Sequence, residues 1–332
     1  MRLGRDFTNL LEYEYLSPED REAFLAGKLT VSDMDATVQI KVKADIARQC
    51  QVAAETGLQH VELDGGIPNP YLSLTREDLR KARVAAEKHE ITLSMHLPYT
   101  FVSAATCGFQ EEDRRTAVDY LKRYLDVAAE LGCRFTVMHP GQIPFYQAVG
   151  RYLEISNRAL VATLTELGEH SDKKNMPLHM ENNTFWDGRL YTADECLPIF
   201  EEVRRRGVNL KFCFDLAHEF TGFKTLAEIP ETPEERYRIV PNDLYLGIQI
   251  GDFIPEGRLF HPPMHRLCGR LKREHLVRMF RIFREKGVQY VVIESAVRER
   301  EDLIHAFELQ AEEARFVRDV FNEAMAPQAT LR

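Results

Sequence analysis

The sequence contains six short apolar runs, and each ends in a side chain that could bind a metal ion or transfer a proton. The run at residues 178–181, which two amides follow, is the clearest example. Helical segments separate the runs from one another. Because the carboxyl ends of the strands meet at one face of a parallel α/β barrel, six such endings predict a single polar pocket. The endings, in chain order, are His96, His139, Glu181, Asp215, Gln249 and Glu294.

Strand and helix patterns alternate about eight times, which is typical of a parallel α/β protein. Most predicted helices end at a glycine directly before the next strand, as at Gly57, Gly132, Gly207 and Gly287. No glycine-rich phosphate loop follows an early strand, as a nucleotide-binding doubly wound sheet would show. The 332 residues therefore predict a (β/α)8 TIM barrel, with a single domain over residues 1–325 and a tail at residues 326–332.

The position of the first barrel strand is open. Residues 2–7 form one candidate, and residues 37–42, which alternate apolar and polar side chains, form the other. Ser17 and Pro18 mark a helix start between the two candidates, within a predicted helix over residues 12–28. Residues 10–42 stand outside the regular alternation and are interpreted as an insertion or extension.

Composition limits the cellular locations and the binding partners that we expect for the protein. No apolar run is long enough to span a membrane, and the amino terminus lacks the apolar stretch of a secretory signal. The six cysteines show no CxxC spacing, which favours reduced thiols and a cytoplasmic location. A net charge of −9 disfavours a general nucleic-acid partner, although a local basic groove would be compatible with it.

Carboxylates and imidazoles that converge without thiolates suit a divalent metal such as Mn²⁺, Zn²⁺ or Mg²⁺. Several carboxylates in one pocket would repel one another unless a cation held them. A single histidine at a strand end is usually structural, and the hypothesis of a metal pocket therefore depends on the joint pattern. Three further histidines follow the strand ends closely enough to belong to this pocket: His218, His261 and His265.

At these residues the chain resembles the xylose-isomerase-like TIM barrels, which include sugar isomerases, sugar epimerases and endonuclease IV-like nucleases of AP endonuclease family 2. The resemblance covers residues 44–294. The shared mononuclear site of that family takes Glu, Asp, His and Glu from strands five to eight. Glu181, Asp215 and Glu294 match this pattern, whereas Gln249 occupies the histidine position. The resemblance also implies a possible homodimer, since large barrels of this type often pair.

The nuclease branch implies further ligands for three zinc ions. His96 in His-x-Pro-Tyr, His139 in His-Pro-Gly and His218 in Asp-x-x-His match that branch. His265 matches as well, but Pro263 stands where an acidic ligand is expected two residues earlier. We hypothesise that His261 replaces one of the two ligands that the family pattern expects at positions 249 and 263.

Three functions remain open. The first is isomerisation or epimerisation of a sugar or polyol, phosphorylated or not, by proton transfer through an enediolate. Glu181 and Glu294 would be the proton donor and acceptor, and His218 would orient a hydroxyl. The second is metal-dependent phosphodiester hydrolysis in damaged DNA, and the third is a non-catalytic sugar-binding barrel. The side chains expected against a substrate are Tyr99, Trp186 with its neighbour Phe185, and His265.

Overall fold

The computed structural model describes residues 1–327, so most of the predicted tail lies outside the described residues. Eight parallel strands form one sheet in the order β6-β5-β4-β3-β2-β1-β10-β7, and the end strands β6 and β7 contact each other to close a barrel. The predicted (β/α)8 TIM barrel is therefore confirmed. The barrel strands are β1 (Arg2–Asp6), β2 (His60–Leu63), β3 (Thr92–His96), β4 (Thr136–Met138), β5 (Leu178–Glu181), β6 (Lys211–Cys213), β7 (Gly247–Ile250) and β10 (Tyr290–Ile293).

Helices cover the outside of the barrel, and several end where the glycine pattern predicts. Gly132 and Gly287 follow α5 and α10 with φ of 77° each, in the left-handed conformation that glycine adopts without steric cost. The helices are α1 (Pro18–Leu25), α2 (Val31–Ala44), α3 (Ile46–Glu55), α4 (Arg76–Lys88), α5 (Glu111–Leu131), α6 (Gly150–Asp172), α7 (Ala193–Arg205), α8 (Leu216–Phe220), α9 (Arg236–Ile239), α10 (Arg273–Lys286), α11 (Arg300–Ile304) and α12 (Ala306–Met325).

The structure decides between the two candidates for the first strand. Residues 2–6 form β1, which lies between β2 and β10. Residues 37–42 belong instead to α2, which Thr30 and Asp33 begin with a capping box. Met34, Val38 and Val42 are buried at helical spacing, and this burial overrides the local alternation that resembles a strand.

Two helix predictions need correction. Within the predicted helix 12–28 only α1 is α-helical, preceded by a 3₁₀ turn at Glu12–Tyr15. The C-terminal helix is divided at His305, whose φ of −106° and ψ of 31° separate α11 from α12. No helix in the described part of the chain is long and apolar enough to cross a membrane.

A small antiparallel hairpin follows the seventh barrel strand, which the sequence did not indicate. It consists of β8 (Phe253–Ile254) and β9 (Leu259–Phe260). His261 directly follows β9, and its backbone carbonyl accepts a hydrogen bond from Ala296 N at 2.9 Å. The hairpin is therefore attached to the loop after β10, at the carboxyl end of the barrel.

We expect substitution of Glu12 by Gln to change how stability depends on pH. Burial, together with the neighbouring Asp35, raises the pKa of Glu12 from an ordinary 4.5 to about 10. Because the folded pKa is the higher one, this group contributes stability at low pH that is lost as pH rises from about 5 towards 10. Thermal unfolding at pH 5 and pH 9 should show a smaller difference for Glu12→Gln than for wild type. The exposed substitution Glu22→Gln should leave the difference unchanged, and an equal effect of both would contradict the assignment.

Candidate active site and metal centre

A cavity of about 250 Å³ opens at the carboxyl ends of the barrel strands. Its position agrees with the general rule for such barrels, whose active sites lie at this face. The lining is predominantly polar and acidic. It consists of Asp6, Thr8, Asp64, His96, Tyr99, His139, Gln142, Asn183, Thr184, Asp187, His218, Phe260 and Glu294.

The first group of candidate ligands lies at the ends of β3, β4 and β5. His96 Nε2 is 3.1 Å from Glu181 Oε2, and His139 Nε2 is 3.7 Å from the same oxygen. His96 Nδ1 donates a hydrogen bond to the Leu97 carbonyl at 2.8 Å, which turns Nε2 towards the carboxylate. The other ring nitrogen of a metal-binding histidine commonly makes such a bond. These three side chains could hold one ion.

The second group is formed by Asp215, His218, His261 and Glu294, whose ligand atoms lie within 4.8 Å of one another. His261 Nε2 is 3.8 Å from both Asp215 Oδ2 and Glu294 Oε2. His218 Nε2 is 3.6 Å from Asp215 Oδ2, while its Nδ1 donates to the Asn182 carbonyl at 2.7 Å. The two groups adjoin, since His218 Nδ1 is also 3.2 Å from Glu181 Oε1.

Asn182 fixes the carboxyl ends of β5 and β6 relative to each other. Its Nδ2 donates to the Asp215 carbonyl at 2.9 Å, and its Oδ1 accepts from Asp215 N at 2.9 Å. Asp215 in turn begins α8, because its Oδ1 accepts a hydrogen bond from Ala217 N at 2.7 Å. Oδ2 of Asp215 is thereby directed into the cavity, and α8 presents His218 one turn later.

Unpartnered polar atoms are concentrated in this cavity. Among the described residues, seven buried atoms of the two ligand groups and Gln249 have no hydrogen-bond partner. They are His139 Nδ1, Glu181 Oε1, Asp215 Oδ2, Gln249 Oε1, Glu294 Oε2 and both ring nitrogens of His261. Leaving such atoms buried and unpaired is costly, and a divalent ion would satisfy several of them. Oxygen and imidazole donors without thiolates fit Mn²⁺, Zn²⁺ or Mg²⁺.

The electrostatics agree with an excess of negative charge. Burial, with the nearby Glu181 and Asp215 carboxylates, raises the pKa of Glu294 well above its usual range. Burial alone would lower the pKa of His96, but the Glu181 carboxylate outweighs it and raises that pKa to about 9. The pKa of His139 is lowered by burial and by the neighbouring His96 and His218. A bound cation would relieve the repulsion among the carboxylates.

The structure brings most of the sequence-predicted residues together. Tyr99 lines the cavity, its ring centroid 5.4 Å from that of His96. Gln249 is buried at the end of β7, but its Nε2 donates to Glu62 Oε1 at 2.6 Å. Trp186 is half exposed outside the cavity lining and packs against Phe253 of the hairpin.

His265 is the predicted site residue that the structure places apart. It belongs to neither ligand group among the described residues, and its Nε2 is 3.9 Å from Glu312 Oε2 on α12. His261 lies in different surroundings, because its Nε2 is 3.8 Å from both Asp215 Oδ2 and Glu294 Oε2 of the second ligand group.

Three acidic residues of the site were missed in the sequence. Asp6 ends β1, Glu62 lies within β2, and Asp64 directly follows β2. The rule that identified the other six endings would have found Asp6 and Asp64, because both end strand-like runs. Burial and the Asp64 carboxylate raise the pKa of Asp6 to about 7. Lys43 at the end of α2 pairs with Asp64 at 2.9 Å, so the N-terminal segment reaches the site.

Solved structures with the same fold include several epimerases. A D-psicose 3-epimerase from Clostridium cellulolyticum H10 is 13% identical and has a TM-score of 0.67 over 97% of this chain and 99% of that chain. A 3-keto-D-glucoside 4-epimerase from E. coli is 16% identical, with a TM-score of 0.65 over 96% and 99%. A xylose isomerase-like TIM barrel protein from Mycobacterium smegmatis, solved in complex with magnesium, is 16% identical, with a TM-score of 0.57 over 84% and 89%. At these identities the similarity shows the fold.

Sequence comparisons show the family through a family model. An uncharacterized protein of Methanocaldococcus jannaschii is 24% identical over 150 residues, which are 45% of this chain and 49% of that protein. The chain thus spans about half the length of the curated relatives that it matches. The family model described as xylose isomerase-like TIM barrel matches residues 50–320, which is most of the chain. The protein therefore belongs to the xylose isomerase-like TIM barrel family.

Proposed function

We propose that the protein is a divalent-metal-dependent isomerase or epimerase that acts on an uncharged sugar or polyol. The observation that carries this proposal is the proximity of the buried carboxyl groups of Glu181 and Glu294 at the carboxyl ends of the strands. Each has a buried carboxylate oxygen without a hydrogen-bond partner, and each belongs to a candidate ligand group. The epimerase activities in the names of the structural neighbours support the same class of reaction.

Two carboxylates in one pocket can act as a proton acceptor and a proton donor at a carbon atom. In this proposal one of Glu181 and Glu294 removes the proton and the other returns one. His218 is held through Nδ1 by the Asn182 carbonyl, so its Nε2 is available to orient a substrate hydroxyl or to bind the ion. A bound divalent ion would supply a Lewis acid that stabilises negative charge developing on the substrate oxygens.

The charge of the cavity favours an uncharged substrate over a phosphorylated one. Among the described residues, the cavity lining contains four carboxyl groups, those of Asp6, Asp64, Asp187 and Glu294, and three histidines, but no lysine or arginine. The nearby Lys43 is already paired with Asp64 and donates to the Gly66 carbonyl at 2.6 Å. A phosphate group would therefore meet like charge at the rim, whereas sugar hydroxyls can donate to these carboxylates. The cavity volume also suits a single sugar ring.

Phosphodiester hydrolysis is the second candidate. The observation in its favour is the separate group formed by His96, His139 and Glu181, because it could hold an ion beside the one at Asp215 and Glu294. Paired metal ions are typical of phosphoryl-transfer and nuclease sites. The acidic rim argues against a polyanionic substrate, so this candidate ranks second.

We expect the protein, loaded with Mn²⁺, to exchange a carbon-bound proton of an uncharged ketose with solvent. Incubation with D-fructose or D-tagatose in D₂O, followed by NMR and mass spectrometry, would detect the exchange and any epimer formed. At saturating metal, Glu181→Gln and Glu294→Gln should each slow it by about a hundredfold or more, because each removes one proton-transfer group. Glu312→Gln, on the outer helix layer, is the matched control. Faster reaction of fructose 6-phosphate than of fructose would contradict the uncharged-substrate assignment.

A second prediction concerns metal content. Protein purified without chelator should carry Mn, Zn or Mg, measured by elemental analysis, and Glu181→Gln should lower the bound amount because Glu181 adjoins both ligand groups. Glu12→Gln changes another buried carboxyl, which belongs to neither ligand group, and should retain the wild-type content. Cleavage of an abasic-site duplex by protein with two or more zinc ions, without any sugar exchange, would shift the assignment to hydrolysis.

A further inference from the structure

His261 belongs to the second ligand group, and the reaction proposed above gives it no role. It is 2% exposed, and both of its ring nitrogens are buried without a hydrogen-bond partner among the described residues. An imidazole buried in this way is destabilising unless something binds it. The ring therefore points to a ligand.

The backbone around His261 directs the ring into the second ligand group. His261 N donates to the Asp252 carbonyl at 3.0 Å, and its own carbonyl accepts from Ala296 N at 2.9 Å. These bonds hold it against the loop that follows Glu294. Gly251 leaves the space that the ring occupies, because a Cβ at that position would lie 2.0 Å from His261 Nδ1. The imidazole of His261 therefore occupies space that is available only because residue 251 has no side chain.

Gln249, at the position where a histidine ligand is expected on the seventh strand, is engaged elsewhere. Its Nε2 donates to Glu62 Oε1 at 2.6 Å, and Ser94 Oγ donates to the other Glu62 oxygen at 2.7 Å. This bond ties the amide to β2 across the barrel interior. Its one free atom, Oε1, is an uncharged oxygen and so a weaker ligand than an imidazole nitrogen for zinc.

We propose that His261, delivered by the β8–β9 hairpin, is the nitrogen ligand of the metal centre that also includes Asp215 and Glu294, in place of the seventh-strand residue Gln249. This rests on the metal-dependent function proposed above, and it assigns a ligand that the strand pattern does not. Ligand atoms about 2.1 Å from one ion can lie up to about 4 Å apart. The 3.8 Å distances from His261 Nε2 to both carboxylates meet that requirement.

The test is titration of the full-length, chelator-treated protein with Co²⁺, followed by visible absorption and calorimetry. His261→Ala should weaken Co²⁺ binding by at least about tenfold and change the absorption spectrum, because a nitrogen ligand is lost. His265→Ala removes the other histidine of the same loop and should leave both unchanged. Gln249→Met, which preserves volume but removes the amide oxygen, should also retain the wild-type spectrum. A change with Gln249→Met and none with His261→Ala would overturn the proposal.

Gly251→Ala provides a second variant that deletes no candidate ligand. Its methyl group would displace the His261 ring, so Co²⁺ affinity should fall as it does in His261→Ala. Circular dichroism and the melting temperature of the metal-free variants establish that each is folded. Equal Co²⁺ affinity in folded Gly251→Ala, His261→Ala and wild type would contradict the ligand assignment.

The outcomes separate this proposal from the function above. If metal binding depends on His261 but the protein exchanges no sugar proton, the ligand assignment is supported and the isomerase assignment is contradicted. Sugar exchange with metal binding independent of His261 would do the reverse. A wild-type protein that binds no divalent metal would overturn both.

Discussion

Repulsion among buried carboxylates is the constraint on which this site depends. Glu181, Asp215 and Glu294 lie at or just after three strand ends, close enough for the first two carboxylates to raise the pKa of Glu294, and burial raises the free-energy cost of holding their charges together. The parallel barrel makes the convergence unavoidable, since every strand ends at the same face. Histidines from β3, the loop after β4, α8 and the hairpin surround these carboxylates. A divalent cation among these groups would offset the repulsion.

A buried ion pair behind the site supports two of the loops that form it. Arg5 and Glu313 form a fully buried pair at 2.8 Å between β1 and α12. The same Glu313 accepts hydrogen bonds from Met264 N at 2.6 Å and Ser295 Oγ at 2.8 Å. It therefore holds, from behind, the two loops that carry His261 and Glu294. Precise ligand placement requires such supporting contacts, because a loop alone would position an imidazole loosely.

Two features of the site favour different functions. The His96, His139 and Glu181 group resembles a second metal position, as a hydrolase would need, whereas the acidic rim suits neutral hydroxyl groups. The proposal above gives more weight to charge, because a polyanion would meet the carboxyl groups of Asp6, Asp64 and Asp187 as it approached the cavity. An uncharged sugar is compatible with both features. The fold alone could not decide this, since members of one barrel family differ in chemistry through their loops.

The sequence by itself predicted the architecture and most of the candidate ligands, because hydrophobic periodicity, glycine at helix ends and strand endings are local properties of the chain. Glu181, Asp215 and His218 could be proposed as candidate ligands from the positions at which the apolar runs end. The tertiary structure decided what depends on distant partners. Burial of Val38 and Val42 made residues 37–42 helical. Gln249 donates a hydrogen bond to Glu62, which lies 187 positions away in the chain. His261 and His265 differ in the same way, because the fold places His261 Nε2 3.8 Å from Asp215 and Glu294 but places His265 Nε2 3.9 Å from Glu312 on α12.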